Sequence, residues 1–172
     1  MILVCPLSQV EEMVERHKPA RVVSLLDPHY TFPELGPDYE GRHLRLRFHD
    51  VHVADYDEIA PSAEHVDQLL EFLSELDPED DLLIHCRAGI SRSTAAAFIA
   101  ACFLNPDVPE RALALALRRA SPAARPNQVM VALADAAMGR DGRMTQAIST
   151  TGRDLPWLLI DESEAFEMPC PD

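Results

Sequence analysis

The sequence predicts an α/β fold in which a mainly parallel central sheet of four to five strands is flanked by helices. Three observations point to it. Short apolar runs of strand length alternate along the chain with segments of helical period, the pattern that strand–helix–strand units leave in a sequence. One run, Leu82-Leu83-Ile84, is continuous and bounded by acidic residues, as suits a central strand covered on both faces. The segment after it, Ser93 to Leu104, is apolar nearly all round, as suits a helix buried at the centre of a fold.

Ile2 to Cys5 reads as the first strand. Ser8 and Glu11 match a capping box that opens a helix with Val10, Met13, Val14 and His17 along one face, and Pro19 ends it. Arg21 to Leu26 reads as a second strand. Residues 27–42 contain Pro28, Pro33, Gly36, Pro37 and Gly41 and read as a long surface loop. From His43 to Phe48 the residues alternate: Leu44, Leu46 and Phe48 on one face, His43, Arg45 and Arg47 on the other. A polar segment, Asp50 to Glu58, precedes a helix begun by Pro61 and Ser62, with Val66, Leu69, Leu70, Leu73 and Leu76 on its apolar face.

Beyond the central helix three more are expected. Asp107 and Glu110 cap the first, with Pro109 in its opening turn and Leu113 and Leu117 facing inward. Asn127 caps the second, which carries Val129, Met130 and Leu133 and stops at Gly139. Residues 141–148 form a short last helix. Residues 151–172 hold six acidic residues and three prolines, and read as a loosely attached acidic tail pinned in part by Trp157, Leu158 and Leu159. The expected organisation is one domain over 1–150 followed by that tail.

At 172 residues a single core is feasible, and 47% hydrophobic with 26% charged residues is ordinary for a globular chain. No apolar stretch is long enough to span a bilayer, and residues 1–10 lack the basic start and cleavage site of a secretory signal. The net charge of −14 repels phosphate backbones and anionic lipid, so neither nucleic acid nor membrane is expected as a partner. An anionic substrate must be won by a local positive site. Of the four cysteines, Cys5, Cys86, Cys102 and Cys170, none sits in a C-x-x-C pair, so a structural zinc site has no support. Reduced thiols in a cytoplasm are expected, with Cys102 a core residue.

Cys86 differs. It ends the central strand in His85-Cys86-Arg87-Ala88-Gly89-Ile90-Ser91-Arg92-Ser93, where the chain turns into the buried helix. Ligand crevices of parallel sheets lie beyond the carboxyl ends of the strands. A loop this short wraps a small object. Gly89 permits a tight bend, successive amides make an anion nest, and the helix beginning at Ser93 adds its positive end. Arg92 supplies a planar fork that matches two phosphate oxygens. The same field favours the thiolate of Cys86, the nucleophilic form of the side chain.

His85-Cys86-x5-Arg92-Ser93 resembles the H-C-x5-R-[ST] signature of the protein tyrosine phosphatase superfamily. The layout from about Arg21 to Met138, with Arg125-Pro126-Asn127 after the signature, is similar to its small tyrosine and dual-specificity members. Low-molecular-weight phosphatases, whose cysteine lies near the N-terminus, and rhodaneses, whose loop is shorter, fit poorly. The resemblance implies hydrolysis of phosphotyrosine, or also phosphoserine and phosphothreonine, through a phosphocysteine. Cys86 would be the nucleophile and Arg92 the holder of the equatorial oxygens. The amides of Arg87, Ala88, Gly89, Ile90, Ser91 and Arg92 would bind phosphate, Ser93 would ease departure of sulfur, and His85 would order the loop.

It implies a carboxyl general acid on the preceding polar segment. Asp50, directly after the third strand, ranks first. Asp55 fits the usual spacing to the cysteine better, and Asp57 is a third choice. His49, Asp50, His52, Asp55 and Asp57 have donors that suit zinc or manganese, but the resemblance is to a metal-free family, and no cofactor or metal is expected. The expected partner is a phosphorylated protein or a small phosphoester, taken by a monomer. Arg45, Arg47 and His49 could border the pocket, and Tyr30, Phe32, Tyr39 and Tyr56 could supply an aromatic rim. The alternatives are a phosphate-binding pseudophosphatase or interaction module, and a phosphatase of small molecules such as inositol phosphates. The nest's lack of lysines and the acidic surface argue against phosphoinositide and RNA 5′-triphosphate substrates.

Overall fold

A computed structural model describes residues 1–51, 55–77, 79–151 and 160–169. Five strands, β1 (Ile2–Pro6), β2 (Arg21–Leu26), β3 (His43–Arg47), β4 (Leu82–Cys86) and β5 (Phe166–Met168), form one sheet in the order β3-β2-β4-β1-β5. The first four are parallel, and β5 runs antiparallel to β1. β4 is central, and every residue of β1 and β4 is buried, which is why their sequences are continuous apolar runs rather than alternating ones.

Six helices follow the predicted order: α1 (Val10–His17), α2 (Ala63–Ser74), α3 (Arg92–Leu104), α4 (Glu110–Ala120), α5 (Gln128–Ala137) and α6 (Arg143–Thr150). α1 covers one face of the sheet over a small core of Leu3, Cys5, Val10, Val22 and Leu83. The other helices lie on the opposite face, around α3. Five alanines, Ala95, Ala96, Ala97, Ala100 and Ala101, are buried in α3, so its backbone can approach its neighbours closely on all sides. None of the helices described is long and apolar enough to cross a membrane.

Three local expectations are corrected. The Ser8–Glu11 capping box does not form: a short 3-10 turn (Leu7–Gln9) precedes α1, and the Ser8 hydroxyl donates instead to Glu162. No side chain caps α4. Glu110 is buried and accepts from Arg140 and Arg143 at 3.1 and 3.0 Å, fastening α4 to the α6 end of the chain. These are long-range partners, which a local motif cannot anticipate.

The third correction concerns 151–172. Its described part, residues 160–169, is not loosely attached: Phe166–Met168 pairs with Ile2–Val4, and the Ala165 amide donates to Gln9. A three-residue strand is too short to leave a periodic signal. The expected pinning residues Trp157, Leu158 and Leu159, like Cys170 and His52, lie outside the described residues.

Candidate active site

The segment from Cys86 to Arg92 curls at the carboxyl end of β4, and its geometry follows from its carbonyls. Arg87 O accepts from the Leu7 amide (3.1 Å), and Ala88 O from the Ser163 amide (2.8 Å). Gly89 O accepts from the Ser163 hydroxyl (3.1 Å). Ile90 O accepts from the Arg125 amide (2.8 Å) and the Thr94 hydroxyl (2.5 Å). Ser91 O accepts from the amides of Ala95 and Asn127 and from the Thr94 hydroxyl. All five carbonyls are engaged by the surrounding protein. In a trans peptide the N–H points opposite to the C=O, so the amides of residues 88–92 are turned the other way, toward the concavity. That is an anion nest. Ser91 stands at the N-cap of α3, but its hydroxyl donates to Asp50 (2.7 Å) and leaves the first turn of the helix without a side-chain cap.

Gly89 has φ +72°, and a Cβ there would lie 2.4 Å from Ser163 Oγ and 2.9 Å from Pro6 N. Both the conformation and the close approach require glycine.

Arg92 is 3% exposed. Its Nη1 donates to Phe48 O (2.7 Å) and its Nη2 pairs with Asp27 (3.2 Å), while Nε is buried without a partner. Cys86 Sγ lies 3.1 Å from Ser93 Oγ. The other described thiols differ: burial pushes Cys5 and Cys102 up to about 12, which keeps them protonated.

Behind the loop, Ser24 Oγ sits between His43 Nε2 (2.7 Å) and His85 Nε2 (2.5 Å). Burial is the main cause that lowers His85 to about 3 and His43 to about 4, with Arg45 adding to the latter. His85 is fully buried and therefore a neutral internal brace. The unfolded chain protonates both imidazoles below about 6.5, and the folded chain resists, so stability falls as pH falls from about 6.5 toward 4. For His85 the loss is roughly 1 kcal/mol per pH unit in that window. A urea midpoint that drops between pH 7 and 5, and drops less in His43→Gln, is the expected result. Equal drops in the two proteins would exclude this source.

A cleft of about 1090 Å³ opens over the loop. Cys86, Arg87, Ala88, Ile90, Ser91 and Arg92 line it, together with Asp27, His49, Asp50 and Glu58. Arg118, Arg125, Gln128, Ser149, Ile160 and Asp161 are also among the lining residues. Gly89 and Ser93 do not line it.

Asp50 is held at the mouth: its Oδ1 accepts from Ser91 Oγ (2.7 Å) and Asn127 Nδ2 (2.9 Å). Asn127 also caps α5, accepting from the amides of Val129 and Met130. Asp55 and Asp57 are exposed and do not line the cleft. Of the basic residues expected at the border, His49 lines it, whereas Arg47 is drawn to Pro28 O and Tyr30 O and lies over Phe32. Arg45 lies outside the cleft.

The aromatic rim does not form among the described residues. Tyr30 accepts from Arg87, Phe32 packs on His43, Tyr39 packs against the smaller core, and Tyr56 is fully exposed; none lines the cleft. Sequence reasoning missed Asp27, Arg118 and Ser163. Asp27 had a signal, since it follows β2 at the edge where ligands of parallel sheets bind.

The PTP-like phytase family, described as inositol hexakisphosphate, matches residues 40–104, which run from just before β3 through α3. No curated protein matches the chain. Among solved structures, human tyrosine phosphatase-like serine/threonine/tyrosine-interacting protein is 17% identical over 81% of this chain and 92% of its own, with a TM-score of 0.62. The Yvh1 phosphatase domain from Chaetomium thermophilum is 18% identical over 83% and 93%, with a TM-score of 0.58. The PTP-2 phosphatase of Cydia pomonella is 22% identical over 78% and 84%, with a TM-score of 0.55. At such identities the likeness is one of fold: the chain shares the α/β architecture of these structures, with its cysteine loop at the carboxyl end of β4.

Proposed function

We propose that the protein is a phosphoric monoester hydrolase that works through a phosphocysteine and acts on phosphotyrosine. The observation that carries this reading is the buried guanidinium of Arg92, whose Nε has no partner among the described residues, beside a thiol and a ring of inward amides. A dianion supplies the acceptors that these donors lack.

In the first step Cys86 Sγ bonds to phosphorus as the bond to the leaving oxygen breaks, and a protonated Asp50 gives that oxygen its proton. Among the described residues, both hydrogen bonds to Asp50 fall on Oδ1, which leaves Oδ2 to carry the proton. In the second step water attacks phosphorus, Asp50 takes the water's proton, and the P–S bond breaks. Ser93 Oγ is within reach to donate to the departing sulfur. Charge on the transferring group is what needs stabilising, and the nest and Arg92 are in place before substrate arrives. No metal or cofactor takes part.

A second reading, a small polar substrate bearing more than one phosphate, is favoured by the cleft. Its described lining contains no Phe, Tyr or Trp but includes Arg118 and Arg125, and the matched family is one of phytases. The intact set of Cys86, Arg92 and Ser93 speaks against a silent binding module. Turnover of para-nitrophenyl phosphate that survives chelator and is blocked by vanadate is expected. Absence of turnover in folded protein would refute the hydrolase, and chelator-sensitive turnover would refute the mechanism. Comparing kcat/KM for a phosphotyrosine peptide with that for inositol hexakisphosphate decides between the substrates.

A further inference from the structure

We infer that Ser163, on the segment between α6 and β5, is a positioning residue for the phosphate nest. The inference rests on the reading of the loop as an anion site. Five peptide units make the nest, and Ser163 holds two of them. Its amide donates to Ala88 O at 2.8 Å and its hydroxyl to Gly89 O at 3.1 Å. The first bond keeps the Gly89 N–H directed inward and the second does the same for the Ile90 N–H, because N–H and C=O are opposed across a planar trans peptide.

These two units flank the one residue of the loop without a Cβ. Glycine populates both signs of φ, so the peptides beside Gly89 can rotate at less steric cost than the others. Such a rotation would turn a carbonyl oxygen toward the bound anion in place of a donor, exchanging attraction for repulsion.

Ser163 is itself held from outside the loop. It is 6% exposed, its Oγ lies 2.4 Å from where a Cβ on Gly89 would stand, and β5 docks the following residues on β1. Glu162 accepts from Ser8, and Asp161 O lies 3.5 Å from Arg87 Nη1. Ile160 and Asp161 line the cleft, so the same segment that braces the nest also walls it. The brace binds no substrate atom; it acts through Ala88 and Gly89.

The test uses the full chain carrying Cys86→Ser, so that anion binding is read without turnover. Tungstate affinity is measured by calorimetry, with and without Ser163→Ala and Ser163→Thr. Ser163→Ala is expected to weaken tungstate binding roughly tenfold, the loss of about one hydrogen bond with its partner left unmatched. Ser163→Thr, which retains the hydroxyl, is expected to restore most of it. In the Cys86 enzyme the vanadate inhibition constant should rise by a similar factor. A merely structural serine would lower the melting temperature and leave both constants where they were. Tungstate binding within twofold of the parent in folded Ser163→Ala protein would overturn the inference. Should the Cys86 enzyme hydrolyse no phosphoester while Ser163→Ala still weakens tungstate, the catalytic reading fails and this one stands. If the parent binds no tungstate, both fall.

Discussion

Cys86→Ser is expected to reduce phosphoester hydrolysis to the rate of buffer alone while phosphate still binds. The two halves of this result come from different atoms. On the proposed mechanism, binding belongs to the amides of residues 88–92 and to Arg92, all held by contacts that the sulfur does not make. Attack on phosphorus would belong to the sulfur, since a thiolate is a strong nucleophile and a serine hydroxyl is not. Side chains of similar size occupy the same buried position, so the fold is little disturbed. Steady-state turnover and calorimetric phosphate binding, measured on one preparation, check both halves. A serine variant that retains catalysis would sink the phosphocysteine, and one that loses catalysis and binding together would place Cys86 in the scaffold of the nest.

Asp50→Asn carries the second large effect. A positioned carboxyl acid contributes about 10²–10⁴-fold, and a loss of that size in kcat is expected for an alkyl phosphate, whose leaving oxygen needs the proton most. An acid must be protonated to act, so the wild-type kcat profile is expected to fall on its alkaline side. The Asn variant should lack that alkaline limb. Its carbonyl oxygen can still accept from Ser91 and Asn127, so placement of the side chain is retained. Asp55→Asn and Asp57→Asn, at exposed positions that do not line the cleft, should leave the profile unchanged. If Asp50→Asn keeps the limb and one of the others loses it, the acid has been misassigned.

Much of this architecture could be read from the sequence because its signals are local. The run Leu82–Ile84, the alanine-rich helix after it, and Ser62 and Asn127 at their caps each act within a few residues. Cys86, Arg92 and Ser93 were legible because one loop and one helix start bring them together. What escaped depends on distant partners. Nothing near Ser163 in the chain marks it, since its meaning lies in the carbonyls of Ala88 and Gly89, more than seventy residues away. Glu110 resembles a capping residue until Arg140 and Arg143 claim it. The aromatic residues of 27–42 and 55–58 were placed by composition alone, and composition does not aim a ring.

The wide sequence separation of these braces has a consequence for biosynthesis. Leu7, Arg125, Asn127 and Ser163 each hold part of the 87–91 segment, so its shape is assembled from both halves of the chain. During translation Cys86 and Arg92 emerge well before residue 163 does. A nascent chain paused between them has the thiol but an incompletely formed cradle. Competence toward phosphate should therefore appear late and abruptly on the ribosome, after the central helix has packed rather than with it.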